Sequence, residues 1–93
     1  MKEKVRAHAV ISGRVQGVFF RMETKRAAEQ YDVSGWVRNR ADGTVEAVFE
    51  GDRKQVAAAI EWCKKGPPMS RVINVDVDWE DYTGEFMTFG ITY

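Results

Sequence analysis

Arg21 stands where an arginine is electrostatically out of place. It follows the run Gly13-Arg14-Val15-Gln16-Gly17-Val18-Phe19-Phe20, in which two glycines bracket a short loop between a strand-like and a helix-like stretch. The free N–H groups of a helix's first turn form the positive end of its dipole and favour an anion, not a cation. Helical side chains lean toward the N-terminus, which carries Arg21 back over the loop. Backbone N–H groups of such a loop can themselves converge on an anion. Guanidinium and dipole repel each other unless something anionic lies between them, so the spacing predicts a seat for a phosphate. Arginine suits that seat, because its planar fork binds phosphate bidentately where lysine offers only a point charge.

Asn39 is the second candidate. Counting by twos from Val37 places Asn39 on the inward side, while Trp36, Arg38 and Arg40 point the other way. A carboxamide at an inward position needs partners for two donors and an acceptor, and an ordered water near the phosphate would be one. Taken singly, these residues also have plain readings. Gly13 and Gly17 fit a tight turn, Arg21 a solvated surface residue, and Asn39 ordinary pre-hairpin turn chemistry.

The chemistry these groups can do is limited. The loop lacks the Gly-Lys-Ser/Thr ending of a P-loop and the Gly-x-Gly-x-x-Gly spacing of a dinucleotide fingerprint. No Ser–His pair is available, and His8, the single histidine, falls in mid-strand. Arg21, Asn39 and backbone amides offer positioning and electrostatics but no strong acid or base. That suffices only if the leaving group departs without protonation. A carboxylate does so, since its conjugate acid has a pKa near ~4. Water attacking the phosphorus of an acyl phosphate fits, because loose phosphoryl-transfer transition states demand little covalent help.

The elements that must hold these residues show in the hydrophobic period, which switches between two and roughly 3.6 along the chain. Val5, Ala7, Ala9 and Ile11 alternate up to Gly13, and Phe20, Thr24, Ala27, Ala28 and Tyr31 share one helical face. Residues 35–40 and 44–51 flank the hairpin signal Ala41-Asp42-Gly43. Asp52 with Gln55 suggests an N-cap pair, and Val56, Ala59, Ile60 and Cys63 form the next helical stripe. Gly66-Pro67-Pro68 ends that helix. Ile73, Val75, Val77 and Trp79 alternate, and Met87, Phe89, Ile91 and Tyr93 complete a last strand. The order βαββαβ plus a short C-terminal strand predicts an α+β, ferredoxin-like split βαβ sandwich, with two helices on one face of an antiparallel sheet. In that topology the first and second strands run parallel around the third. The loop and the Asn39 strand end then share one sheet edge, about 9–10 Å apart.

Totals narrow the field. Ninety-three residues imply one domain, 1–93. Fourteen basic and fourteen acidic residues balance to zero net charge, which argues against bulk capture of nucleic acid or membrane. Trp36, Arg38 and Arg40 on the outer face have Glu46, Val48 and Glu50 as counterparts on the next strand, acidic where an RNA-binding sheet would carry stacking aromatics. One cysteine and one histidine exclude a disulfide framework within the chain and leave no Cys/His metal site. Met1-Lys2-Glu3-Lys4 leads into alternation, not an apolar signal segment. The expectation is a cytoplasmic monomer without cofactor, nucleic-acid or membrane partners, acting on a small molecule.

With those residues in hand, the chain resembles the acylphosphatase family over nearly its whole length. Gly13 to Arg21 matches that family's phosphate-loop signature, and Gly35-Trp36-Val37-Arg38-Asn39 with Asp42-Gly43-Thr44-Val45 its second one. Gly66-Pro67-Pro68 with Arg71-Val72, and Phe89-Gly90-Ile91-Thr92-Tyr93, are weaker likenesses. The resemblance implies metal-independent hydrolysis of acyl phosphates to a carboxylate and inorganic phosphate. It implies that Arg21 binds the phosphate while amides of Arg14, Val15, Gln16, Gly17, Val18, Phe19 and Phe20 cradle its oxygens. It implies that Asn39 holds the attacking water, with no covalent intermediate. Thr92 stands where some members carry arginine. A non-catalytic phosphate-binding module and a ferredoxin-like ligand sensor remain the alternatives, to be separated by turnover.

Overall fold

The computed structural model describes residues 3–93, so the first two residues of the charged opening run lie outside the described part. Seven elements follow in order: β1 (Lys4–Arg14), α1 (Phe20–Gln30), β2 (Ser34–Asn39), β3 (Val45–Asp52), α2 (Arg53–Lys65), β4 (Arg71–Glu80) and β5 (Phe89–Ile91). One sheet in the order β4-β1-β3-β2-β5 holds all five strands. β1 pairs antiparallel with β3 and β4, and β2 pairs antiparallel with β3. β1 and β2 therefore run parallel on either side of β3, as the split βαβ order predicts.

Burial makes the periodicity real. Val5, Ala7, Ala9 and Ile11 point into the core from β1, and Val45, Ala47 and Phe49 from β3. Phe20, Thr24, Ala27 and Ala28 line the inner face of α1, with Tyr31 half-buried at its end. Val56, Ala59, Ile60 and Cys63 do the same for α2. α1 lies over β2 and β5 while α2 lies over β1, β3 and β4, so both helices cover one face of the sheet. Burial pushes the Cys63 thiol up to about 12, which leaves it an inert apolar filler.

Four details depart from the sequence reading. The sheet is mixed, because β5 pairs parallel with β2. β4 finishes at the end of the sheet where β1 and β2 begin; the chain crosses there and re-enters beside β2 running the same way. β5 spans only Phe89–Ile91, and Met87 and Tyr93 at the ends of the expected strand are almost fully exposed. Ile73 is 77% exposed, breaking the expected alternation of β4. The register shifts there, with Ser12 opposite Asn74 but Gly13 opposite Val72, so Ile73 is the extra residue of a bulge. Finally, Asp52 is the N-cap of α2 without a side-chain capping bond; its carboxylate lies 3.0 Å from Lys4 Nζ instead.

The bulge lies where β1 gives way to the glycine-bracketed loop. Gly13 has φ 125°, and a Cβ there would run into the Arg71 carbonyl. Only glycine lets β1 approach β4 this closely while turning into the loop.

Candidate functional site

The loop between β1 and α1 is anchored by its side chains and left open along its backbone. Val15, Val18 and Phe20 are buried in the core cluster. Each such burial is worth roughly 1.5–3 kcal/mol, enough to hold the loop without help from its own hydrogen bonds. Among the described residues, no backbone acceptor is found for the amides of Val15, Gln16, Gly17, Val18, Phe19 and Phe20; the first helical bond of α1 runs from Glu23 N to Phe19 O at 3.0 Å. Such donors are normally satisfied, so a run of them at a helix start is a place for an acceptor.

Two residues here take the left-handed conformation. Gly17 does so freely at φ 74°, with nothing within 4 Å of where a Cβ would stand. Phe19 does so at φ 63°, ψ 21°, as the residue that caps α1. For a bulky side chain that conformation costs on the order of 1–2 kcal/mol. Alternation of handedness along a short segment curls successive N–H groups toward one point.

Arg21 is the second residue of α1 and faces a cleft of about 300 Å³ lined by Val15, Gly17, Phe19, Phe20, Arg21, Met22, Asn39, Ile91 and Tyr93. Among the described residues its guanidinium has no ion pair; its contact is with the Tyr93 ring, 5.4 Å from Cζ to the centroid. Asn39 ends β2 opposite Val45, on the same side as the fully buried Val37. Its Oδ1 is buried and has no hydrogen-bond partner among the described residues. An orphaned buried acceptor is costly, about 1–3 kcal/mol, and calls for a water or ligand.

Thus the structure brings Val15, Gly17, Phe19, Phe20, Arg21 and Asn39 around one cleft. Arg14 does not line it but closes β1 opposite Arg71. Val18 is turned into the core. Gln16 is turned the other way: its Nε2 donates to the carbonyls of Arg40 at 2.8 Å and Thr44 at 2.9 Å. That side chain straps the loop to the β2–β3 hairpin, the segment that follows Asn39. The hairpin is stiff in turn, since Arg40 N donates to Thr44 O at 2.9 Å and the Thr44 hydroxyl and amide both donate to Asp42 Oδ1, at 2.6 and 3.0 Å. Those bonds hold the Asp42 carboxyl below its usual value.

The strap and the apolar members Met22, Ile91 and Tyr93 escape a reading of the sequence. Gln16 signals only a polar loop residue, and its two acceptors lie 24 and 28 positions away. Ile91 and Tyr93 arrive only because β5 pairs parallel with β2, which puts Ile91 opposite Val37. No signal for that pairing is visible locally.

Chemically, the cleft collects unsatisfied donors and one cation. Among the described residues its lining includes no carboxylate, imidazole, ammonium or thiol side chain. Among the described residues there is no group of three or more His, Cys, Asp or Glu side chains placed to hold a metal. No helix of the described residues is long and apolar enough to cross a membrane.

Comparison with known proteins gives a consistent answer. The family model described as acylphosphatase matches residues 7–91. A protein named acylphosphatase from Pelotomaculum thermopropionicum is 57% identical over 97% of this chain and 98% of its own length. One of the same name from Pyrobaculum islandicum is 62% identical over 96% of this chain and 95% of its own. Among solved structures, the acylphosphatase of Bacillus subtilis superposes with a TM-score of 0.92 at 34% identity, covering 96% of this chain and 99% of that one.

Proposed function

The chain belongs to the acylphosphatase family, hydrolases that split acyl phosphates, and from that premise we propose how its own residues perform the reaction. The phosphate group sits over the free amides at the start of α1, with the Arg21 guanidinium on its oxygens. The buried Oδ1 of Asn39, which lacks a partner among the described residues, accepts a hydrogen bond from the attacking water and aims its lone pair at phosphorus. The P–O bond to the acyl carboxylate breaks as the new P–O bond forms. The carboxylate leaves unprotonated, and the water's protons go to the phosphate product and to solvent.

The observation that carries this reading is the coincidence, in one cleft, of an unpaired guanidinium, an orphaned carboxamide oxygen and a helix-start loop with no backbone acceptors among the described residues. Preorganised donors of this kind stabilise developing charge without reorganisation. Among the described residues the lining has no carboxylate, imidazole, ammonium or thiol side chain, which fits a leaving group that needs no protonation. Convergence of the loop, Arg21 and Asn39 within one chain supports a monomer as the working form. One sheet and one core among residues 3–93 support reading 1–93 as a single working unit. A cytoplasmic setting suits the free thiol of Cys63. The engagement of Arg6 and Arg38 by glutamates on the outer face argues against a nucleic-acid partner there.

The test is release of inorganic phosphate from acetyl phosphate in the presence of EDTA, beside a stable alkyl phosphate monoester. Turnover of the acyl phosphate only is expected. Equal turnover of the monoester would contradict the leaving-group argument, and binding of phosphate without turnover would favour a binding module.

A further inference from the structure

Among the described residues the ladders of the sheet set lysines and arginines against acids, with one exception. Lys4 faces Asp52, Arg6 faces Glu50 on one side and Glu80 on the other, and Arg38 faces Glu46. Arg14 faces Arg71. Like charges directly opposite each other destabilise a strand pair, and both of these residues are exposed. The bulge at Ile73 is what creates the pairing. With Ser12 opposite Asn74, an unbroken ladder would set Val72 against Arg14; the extra residue advances β4 by one and brings Arg71 there instead.

Ion pairing divides the arginines in the same way. Among the described residues Arg6, Arg26, Arg38, Arg40 and Arg53 each have a carboxylate partner, whereas Arg14, Arg21 and Arg71 have none. Those three stand at one end of the sheet, where β1 finishes, β4 begins and the loop leads into α1. Among the described residues the carboxylates without an ion pair lie elsewhere. Asp32 follows α1 and Asp81 follows β4, both at the opposite end, with Asp76 and Asp78 along β4. A chain of zero net charge is thereby polarised, with its positive end at the loop.

The side chains of Arg14 and Arg71 do not line the cleft, so they do not hold the seated phosphate. Yet Arg14 immediately precedes Val15, whose amide is the first of the open run, and Arg71 lies across the ladder from Arg14. Both backbones are thus within about 10 Å of the seat's edge, one Debye length at 0.1 M salt. Exposed cations at that range contribute little as equilibrium contacts but raise the arrival rate of an approaching anion. We infer that Arg14 and Arg71 are steering residues: the bulge sets them side by side to draw the substrate's doubly charged phosphoryl group onto the loop, where Arg21 takes it. This inference rests on the proposed placement of phosphate at the loop. The stability lost to their mutual repulsion is the sign that the pair serves the ligand rather than the fold.

The experiment measures kcat/KM for acetyl phosphate from about 10 mM to about 0.5 M sodium chloride, in the native chain, Arg71→Gln, Arg71→Glu and Lys54→Gln. Lys54, in the first turn of α2 at the opposite end of the sheet, has no ion pair among the described residues and controls for net charge. At low salt Arg71→Gln is expected to lower kcat/KM about threefold and Arg71→Glu about tenfold, with kcat unchanged. Both deficits should vanish at the high-salt end, and Lys54→Gln should match the native chain throughout. Arg71→Glu should also raise the melting temperature, because an acid would then face Arg14. Line-shape analysis of the loop amides during a titration with inorganic phosphate gives the same comparison as an on-rate, without turnover. There Arg14→Gln should match Arg71→Gln. Native kinetics in Arg71→Glu at low salt, a deficit that salt does not erase, or an equal deficit in Lys54→Gln would overturn the steering role. So would a separate saturable phosphate site on the Arg14 and Arg71 side chains. If acetyl phosphate is not hydrolysed yet phosphate reaches the loop more slowly in Arg71→Glu, the hydrolase reading fails and the steering stands.

Discussion

The arginines on the outer face of the sheet and the arginine at the start of α1 could hardly be treated more differently. On the outer face Arg6 donates to Glu80 at 2.9 Å, Glu85 at 2.7 Å and Glu50 at 3.3 Å, and its guanidinium also lies 5.4 Å from the Phe86 ring. Arg38 donates to Glu46 at 2.7 Å, and His8 shares that carboxylate at 2.6 Å. Glu50, although its side chain is fully covered, accepts from Thr83 N, the Thr83 hydroxyl and Gly84 N, at 2.9, 2.8 and 3.1 Å. At the loop edge the opposite holds. Among the described residues Arg21 has a ring for company, Asn39 Oδ1 has no partner, and a run of amides has no backbone acceptor. Satisfied polar groups knit a fold together; unsatisfied ones, held in place by buried neighbours, wait for something to bind.

Breaking the unsatisfied side should cost activity and spare stability. The largest effect is expected for Arg21→Ala, roughly a thousandfold or more in kcat/KM, since a guanidinium on a transferring phosphoryl group is worth that much. Arg21→Lys should recover only a small part, as a point charge replaces a fork. Next comes Asn39→Ala, with kcat down on the order of a hundredfold and inhibition by inorganic phosphate nearly unchanged, because the water rather than the phosphate loses its partner. Initial rates with phosphate as competitive inhibitor distinguish the two. Equal loss of phosphate binding in both variants would erase the division of labour.

Gln16→Ala sharpens the comparison from the border between the two regions. Losing the strap to Arg40 O and Thr44 O is expected to lower kcat about tenfold and stability by about 1 kcal/mol. Unchanged kcat would show that the core anchors Val15, Val18 and Phe20 position the loop unaided.

The satisfied side should respond in the reverse manner. Glu50→Gln is expected to leave the rate alone and to destabilise by about 1–2 kcal/mol, the loss of charge-assisted bonds, measured by urea unfolding. Burial alone would raise the Glu50 carboxyl, but the bonds from Thr83, Arg6 and Gly84 outweigh it and hold it below its ordinary 4.5. Glu46 is lowered likewise, its burial overcome by His8 and Arg38. A lowered folded value gives stability that is complete above the ordinary carboxylate value and lost as pH falls through the lowered one. Acid unfolding should therefore begin below about 4.5 and be less steep in Glu50→Gln.

What the sequence made legible tracks the range of the interactions. The burial of Ala7, Ala9, Val56 and Cys63 is legible because a single face decides each residue's place. Arg21 and Asn39 are legible because helix direction and strand parity are local. Phe19's left-handed backbone is not, since only glycine and asparagine advertise that conformation. Ile73 breaks its alternation because Gly13, on another strand, draws β4 into a bulge. The covering of Glu50 by residues 83 and 84 and the arrival of Ile91 beside Val37 depend on where the chain crosses after β4. Nothing in residues 81–88 announces that path.

The central claim, that the unsatisfied edge is the phosphate seat, is tested most directly by titrating inorganic phosphate into the ¹⁵N-labelled protein and following every amide. The account predicts saturable shifts concentrated on Val15 to Arg21, together with the Arg21 side-chain Nε–H, and little change at Arg6, His8 or Arg38. Shifts centred on the outer face, or none along the loop at saturating phosphate, would contradict it.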